Sequence, residues 1–112
     1  MLHKKYRLTK RKQFNYIYRR GHSAHSEILT LVFCRGSVRD IRVGFSASKK
    51  VGNSVVRHRA IRLMRHAVKP YLARMAQNHC YIFVAKEGIT QKHLTEIKLG
   101  VEKVLTKARL LS

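Results

Sequence analysis

Apolar side chains recur at helical spacing between residues 52 and 77, and this periodicity constrains the fold more than any other feature of the sequence. The pattern predicts a long helix that begins at Gly52 or Asn53 and runs to about residue 77. Pro70 is the position at which this helix would kink or end early. A helix of this kind must bury its apolar arc against a second layer of structure. At about 100° per residue, the arc consists of Val56, Ala60, Leu63, Met64, Ala67, Val68 and Tyr71.

The rest of the chain supplies strands for that second layer and two further helices. Residues 10–20 predict a short helix, with Thr9 as its N-cap and Gly21 as its stop. Apolar and alternating runs predict strands at residues 27–35, 41–48 and 80–85, and residues 90–110 predict a last amphipathic helix. The short turn at 36–40 predicts that the first two strands form a hairpin. The order α-β-β-α-β-α predicts an α+β sandwich of helices on a small sheet, in one domain over residues 1–112.

The second constraint is the large excess of basic over acidic residues. The chain has 25 Lys and Arg against 5 Asp and Glu, a formal net charge of +20. Self-repulsion of this size opposes folding, so an anionic partner is the natural explanation. Nucleic acid is the leading candidate, and an anionic membrane surface is the alternative.

The cellular setting follows from what the sequence does not contain. It has no apolar run of membrane-spanning length, and its basic segment at residues 1–12 lacks the apolar core of a secretory signal. Cys34 and Cys80 lie inside apolar strand-like runs and are expected to be reduced thiols in the core. A cytoplasmic protein without membrane attachment is expected.

The long helix carries its positive charge opposite the apolar arc. No acidic residue occurs between Asp40 and Glu87, whereas a merely solvated helix face usually interleaves Glu for i, i+4 pairs. The planar guanidinium fork of Arg suits phosphate oxygens. Asn53, at the helix start beside Lys49 and Lys50, predicts a second anion site. The candidate RNA-binding residues are Lys49, Lys50, Asn53, Arg57, His58, Arg59, Arg62, Arg65 and Lys69.

Two aromatic side chains of the first helix form a second candidate site. Phe14 and Tyr18 lie one turn apart, next to the basic residues at 10–12. Aromatic faces beside positive charge suit the stacking of unpaired bases. The same spacing is also typical of aromatic residues in a core, and the pattern alone leaves both interpretations open.

A self-contained active site is not predicted. The five carboxylates are scattered, so no paired general acid and base is evident. His22 and His25 lack the cysteine or carboxylate neighbours of a metal site and are expected to be polar surface residues. No catalytic residue and no protein-held metal are predicted.

Residues 45–68 read FSASKKVGNSVVRHRAIRLMRHAV. This segment resembles the signature region of the bacterial ribonuclease P protein family, which runs approximately G-[LF]-S-V-S-K-K-x-G-N-A-V-x-R-N-R-x-K-R-x-x-R. The similarity extends to Arg7-Leu8, Phe14, Tyr18 and Gly21, and to the apolar strand at 81–85. Three positions depart from the family pattern. His58 replaces an Asn, Ile61 replaces a Lys, and Val32 stands where the family has another cleft aromatic.

The resemblance implies a fold with a left-handed βαβ crossover around the signature helix, against the usual right-handed rule. It implies that this helix binds the catalytic RNA subunit, with one protein per RNA and no obligatory protein partner. A cleft between the first helix and the sheet would hold the single-stranded 5′ leader of precursor tRNA. The RNA would hydrolyse the phosphodiester with Mg²⁺ held mainly by RNA subunit and substrate. The leader-cleft residues would be Phe14, Tyr18, Phe45, Ser46 and Ser48.

Two other functional classes fit parts of this pattern. A structural RNA-binding protein, such as a small ribosomal protein, fits the composition equally well. Only the signature segment at residues 45–68 distinguishes the two classes. A helix-turn-helix DNA binder fits less well, because strands flank the basic helix where that class has a compact helix pair.

Overall fold

The structure is a computed structural model that describes residues 6–36 and 40–112. The first part of the basic segment and the middle of the predicted 36–40 turn lie outside the described residues. The predicted α+β class is confirmed. Short 3₁₀ helices follow α2 at Lys69–Arg74 and precede α3 at Ile89–Gln91. In chain order the main elements are α1 (Arg11–Arg20), β1 (His22–His25), β2 (Leu29–Arg35), β3 (Ile41–Ser46), α2 (Ser54–Val68), β4 (His79–Ala85) and α3 (Leu94–Lys107).

The four strands form one mixed sheet in the order β1-β2-β4-β3. β2 pairs antiparallel with both β1 and β4, whereas β3 pairs with β4 in parallel. The predicted hairpin between β2 and β3 is therefore wrong, because β4 lies between them. The physical reason is the composition of β4, whose consecutive residues Tyr81, Ile82 and Phe83 are all fully buried. A strand that is apolar on both faces is stable only inside the sheet.

β3, α2 and β4 form a βαβ unit with neighbouring parallel strands. The left-handed sense of this crossover stays a prediction. β1 was not predicted, because its sequence HSAH contains a single apolar residue, Ala24, and shows no alternating pattern. β1 extends the sheet by pairing with β2, from His22 opposite Phe33 to His25 opposite Thr30.

Both faces of the sheet are covered by helices. The larger core lies between the sheet and α2 with α3, and includes Leu31, Met64, Phe83 and Val101. The smaller core, on the opposite face, joins Leu8 and Ile17 to Ile82 of β4. The structure thus has three layers, with α1 alone on one side of the sheet.

α1 packs on the sheet through a close contact between the Phe14 ring and Gly44 of β3. Ile17 is the buried residue of α1, and Phe14 packs beside it. A Cβ atom built on Gly44 of β3 would lie 2.5 Å from Cζ of Phe14, so the ring occupies the space that a side chain would need. The helix ends at Gly21 as predicted, but Lys10 and not Thr9 is its N-cap.

Local sequence sets the start of α2. The side-chain oxygen of Asn53 accepts a hydrogen bond from the Val56 N–H at 3.0 Å, which caps the helix. Gly52, just before it, has a φ of 152°, and a Cβ there would lie 2.8 Å from Cβ of Val56. Glycine is therefore required at this turn on both conformational and steric grounds.

The helix boundaries that differ most from the predicted ranges are the end of α2 and the start of α3. α2 ends at Val68, which confirms the early end predicted for Pro70 over the extension to about residue 77. Pro70 cannot continue the α-helical hydrogen bonds, and the chain tightens into the 3₁₀ segment. α3 begins at Leu94 and not at Thr90, with the His93 N–H donating to Oε1 of Glu96 at 3.3 Å. Leu94 was predicted to face inward, but it is 38% exposed because it occupies the first turn.

The contact between Gly44 and Phe14 predicts the effect of a single methyl group. We expect Gly44→Ala to lower the free energy of unfolding by about 1–3 kcal/mol, because the added carbon forces the Phe14 ring away from the sheet. Urea denaturation measures the change. Gly36→Ala is the matched control, since a Cβ there meets nothing closer than the Cys80 sulfur at 3.6 Å. Equal stability losses in the two variants would contradict this account of α1 docking.

Candidate nucleic-acid interface

The outward face of α2 is basic from His58 onward, after a first turn that exposes Ser54 and Val55. Its apolar arc is committed to the core through Ala60, Met64, Ala67 and Val68. The remaining arc therefore points to solvent, and no acidic residue occurs in the helix. The predicted residues that are exposed on α2 or at its two ends are Lys49, Lys50, Asn53, His58, Arg59, Arg62 and Lys69.

This face carries two neighbouring cavities. One, of about 390 Å³, is lined by Arg62, Arg65, His66 and Lys69. The other, of about 290 Å³, lies nearer the start of α2 and shares Arg62 with the first. His66 was not among the predicted RNA-binding residues, although its position four residues after Arg62 placed it on the same face. Cationic cavities that follow a helix are suited to successive phosphates.

Arg57 and Arg65 differ from the other arginines because both are half-buried. The Nε of Arg57 donates to the carbonyl oxygen of Ala47 at 3.0 Å and so ties α2 to the segment after β3. The guanidinium carbon of Arg65 lies 5.8 Å from the ring centroid of Phe45. Arg57, whose helical angle lies nearer the apolar arc, and Arg65 are therefore less exposed than Arg59 and Arg62.

The turn before α2 brings the remaining predicted anion ligands to one end of the helix. The Val51 N–H donates to the Ser48 carbonyl at 3.0 Å, and this turn projects Lys49 and Lys50 into solvent. Asn53 uses its side-chain oxygen for the helix cap, so only its amide N–H₂ is directed elsewhere. Ile61, where the resembled family has a Lys, packs against the larger core and offers no cation.

The cleft beside α1 contains some, but not all, of the residues predicted for it. Phe14 is half-buried against Gly44, and Tyr18 is 45% exposed on the same side of the helix. Ser46 lies two residues after Gly44 in β3 and therefore shares its face of the sheet. Ser48 is exposed beyond the end of the strand. Val32 and Val84 add apolar surface to this side.

Phe45 does not belong to this cleft. Its side chain lies on the other face of the sheet, where its ring stacks on Phe83 with centroids 5.9 Å apart and packs against the larger core. The prediction that grouped Phe45 with Phe14 is corrected by the alternation of β3. Gly44 and Ser46 face α1, and Phe45 between them faces α2.

The two cysteines lie directly opposite each other in the β2–β4 ladder and are free thiols. Both are half-buried, on the face that carries α1, and not in the fully buried core. Burial raises the pKa of the Cys80 thiol, and the neighbouring Cys34 raises it further, while Arg42 acts in the opposite direction. At neutral pH Cys80 is therefore protonated.

Within 6–36 and 40–112, no three His, Cys, Asp or Glu side chains are grouped so that they could hold a metal ion. The same ranges contain no helix that is both long and apolar enough to cross a lipid bilayer. His22 and His25 are both exposed on β1, as predicted for polar surface residues.

Comparison with known proteins gives a consistent result. The sequence profile of the family described as Ribonuclease P matches residues 2–109. A ribonuclease P protein component of Clostridium novyi is 36% identical over 106 residues, which cover 93% of this chain and 94% of that protein. The structure of the Staphylococcus aureus RNase P protein superposes with a TM-score of 0.84 at 28% identity, covering 96% of this chain and 98% of that one. A mutant of that protein, described as having defective mRNA degradation activity, superposes with a TM-score of 0.86 at 28% identity, covering 96% and 92%.

Arg57 is half-buried and Arg62 is exposed, so we expect their substitution to affect stability and RNA binding differently. We expect Arg57→Ala to lower the free energy of unfolding by about 0.5–1.5 kcal/mol, because the hydrogen bond to Ala47 is lost. Arg62→Ala, at an exposed position, should change stability by no more than about 0.5 kcal/mol. Instead it should make the salt dependence of binding to a short RNA duplex shallower by about 0.9 in log–log slope, the effect of one lost phosphate contact. Denaturation and salt titrations measure both effects, and an unchanged slope for Arg62→Ala would place the RNA elsewhere.

Proposed function

Because this chain belongs to the ribonuclease P protein family, we propose that it assists a catalytic RNA in removing the 5′ leader from precursor tRNA. The observation that carries this proposal is the acid-free cationic face of α2, presented outward by a helix whose other face is fixed in the core. In this proposal the protein is the RNA-binding component of a ribonucleoprotein that acts in tRNA processing, with one protein per RNA and no obligatory protein partner. A cytoplasmic location is part of the same proposal.

The cationic face of α2 is proposed to bind the RNA subunit. Arg59, Arg62 and Lys69 are exposed on it and supply cations without a competing carboxylate on the helix. Lys49 and Lys50 extend the same surface toward β3. Binding here lowers the electrostatic cost of bringing two polyanions, the RNA subunit and the precursor tRNA, into one complex.

Phe14, Tyr18 and Ser46 are proposed to bind the leader. Tyr18 supplies an exposed ring on which an unpaired base can stack, and Phe14 supplies the apolar wall behind it. Ser46 and Ser48 offer hydroxyl groups toward the phosphodiester backbone. Val32 replaces an aromatic residue of the family pattern, so stacking rests mainly on the two rings of α1.

Hydrolysis is proposed to be carried out by the RNA subunit with Mg²⁺. The ion is assigned to the oxygens of the RNA subunit and the substrate, which are the hard ligands that Mg²⁺ prefers. The role of this chain is to position the two RNAs and to screen their charge.

Reconstitution tests the proposed function directly. Mixed with a bacterial ribonuclease P RNA and precursor tRNA, the protein should allow accurate 5′ maturation at a Mg²⁺ concentration too low for the RNA alone, because its cations replace part of the screening by Mg²⁺. Gel analysis of the cleaved 5′ leader measures this. The necessary control is the protein without the RNA subunit. An S. aureus RNase P protein mutant is described as defective in mRNA degradation, so cleavage of RNA by the protein alone must be measured separately. Equal cleavage by the protein alone would contradict the assignment of catalysis to the RNA.

The proposed leader cleft predicts a loss that depends on the substrate. Tyr18→Ala should weaken holoenzyme binding to precursor tRNA by about 1–3 kcal/mol for the stacked base that it loses. Binding of mature tRNA should be unaffected, since it has no leader. Equilibrium binding of the two tRNAs to the same holoenzyme measures the difference. Equal losses for both substrates, in a variant with unchanged thermal unfolding, would show that Tyr18 does not contact the leader.

A further inference from the structure

α1 divides its face of the sheet into two grooves. Relative to the buried Ile17, the helix places Phe14 and Tyr18 on one flank and Gln13 and Tyr16 on the other, since successive residues turn by about 100°. The proposed leader cleft uses the first flank. On the second flank lies a separate cavity of about 340 Å³, and neither Phe14 nor Tyr18 lines it.

The second cavity lies at the end of the sheet away from Ser46. Its floor consists of the buried Leu8 and Ile17, together with Cys80 of β4. Arg42 of β3, which pairs with Cys80 in the parallel ladder, forms the wall of the sheet. Lys12 and Tyr16 form the wall of the helix. We name this site the Tyr16 groove.

The Tyr16 groove combines an aromatic surface with fixed positive charge. Tyr16 is 51% exposed, and the guanidinium carbon of Arg20 lies 5.9 Å from its ring centroid. The Nη1 of Arg42 donates to the Ile41 carbonyl at 2.9 Å, which holds the guanidinium against the sheet. Among the described residues that line the groove, none is acidic. An apolar floor with an aromatic ring and a cationic rim complements a flat base joined to a phosphate.

We propose that the Tyr16 groove binds single-stranded RNA, with a nucleobase against Tyr16 and its flanking phosphates beside Lys12 and Arg42. A volume at the small end of the range for ligand sites suits one nucleotide better than a protein segment. The contacts are to base faces and phosphates, so binding is independent of sequence. The inference goes beyond the proposed function, because it requires neither the catalytic RNA nor a tRNA.

Cys80 provides a reporter inside the groove. Its thiol lines the cavity, and trypsin separates it from Cys34, because the two residues fall in peptides 75–86 and 21–35. The unsubstituted protein is treated with iodoacetamide at alkaline pH, with and without a short oligouridylate, and each peptide is quantified by mass spectrometry. We expect the oligouridylate to slow the alkylation of Cys80 as its concentration rises.

Substitutions on the two flanks of α1 separate the two grooves. Tyr16→Ala should raise the oligouridylate concentration needed for half-protection of Cys80 by roughly fivefold or more, the effect of one lost stacked base. Tyr18 is a similarly exposed tyrosine on the other flank and does not line the Tyr16 groove, so Tyr18→Ala should leave the concentration for half-protection of Cys80 unchanged. Arg42→Gln should weaken protection and Arg42→Lys should retain it, with each variant compared to its own rate without RNA.

Two results would overturn the proposal. One is an unchanged Cys80 alkylation rate at oligouridylate concentrations that saturate the protein by fluorescence anisotropy. The other is equal loss of protection in Tyr16→Ala and Tyr18→Ala, which would mean that the oligonucleotide occupies a single cleft. Neither result bears on 5′ maturation by the holoenzyme, so the two proposals can fail separately.

Discussion

The burial of β4 on both faces is the constraint on which the rest of the structure depends. Because Tyr81 and Phe83 point to one side and Ile82 to the other, each face of the sheet needs a covering layer. α1 covers one face, and α2 with α3 covers the other. Once the apolar arc of α2 is committed to that core, the opposite arc, which carries Arg59 and Arg62, faces solvent. The display of charge is thus a consequence of how the central strand is buried.

The positive charges divide into two groups with different roles. Lys86 and Lys107 donate to the carbonyl oxygens of Ser26 and His25, so they fasten the turn between β1 and β2 to the end of β4 and to α3. Arg57 likewise joins α2 to the segment after β3. Within the part of the chain that the structure describes, the exposed cations Arg59, Arg62 and Lys69 form no such hydrogen bond. They repel one another, so the core must offset their repulsion until an anionic partner binds.

Sequence patterns predicted the features that depend on one segment of the chain. They failed for features that depend on which strands pair in the sheet. The cationic face of α2 could be predicted because periodicity and charge are both properties of one segment. The side of the sheet on which Phe45 lies, and the separation of β2 from β3, depend on β4, which follows much later in the chain. β1 has too few apolar residues to show a strand pattern. The burial of Arg57 depends on a backbone carbonyl, which no side-chain pattern records.

The position of β4 also determines when the sheet can be completed during synthesis. A chain leaves the ribosome from its N-terminus, so β1, β2 and β3 emerge before the strand that joins β2 to β3. Until residues 79–85 are free of the exit tunnel, the apolar side chains of β2 and β3 lack the neighbour between them. Such unfinished sheets are prone to aggregate. α2 precedes β4 in the chain and carries no acidic residue, so like-charge repulsion opposes the close approach of two such unfinished chains.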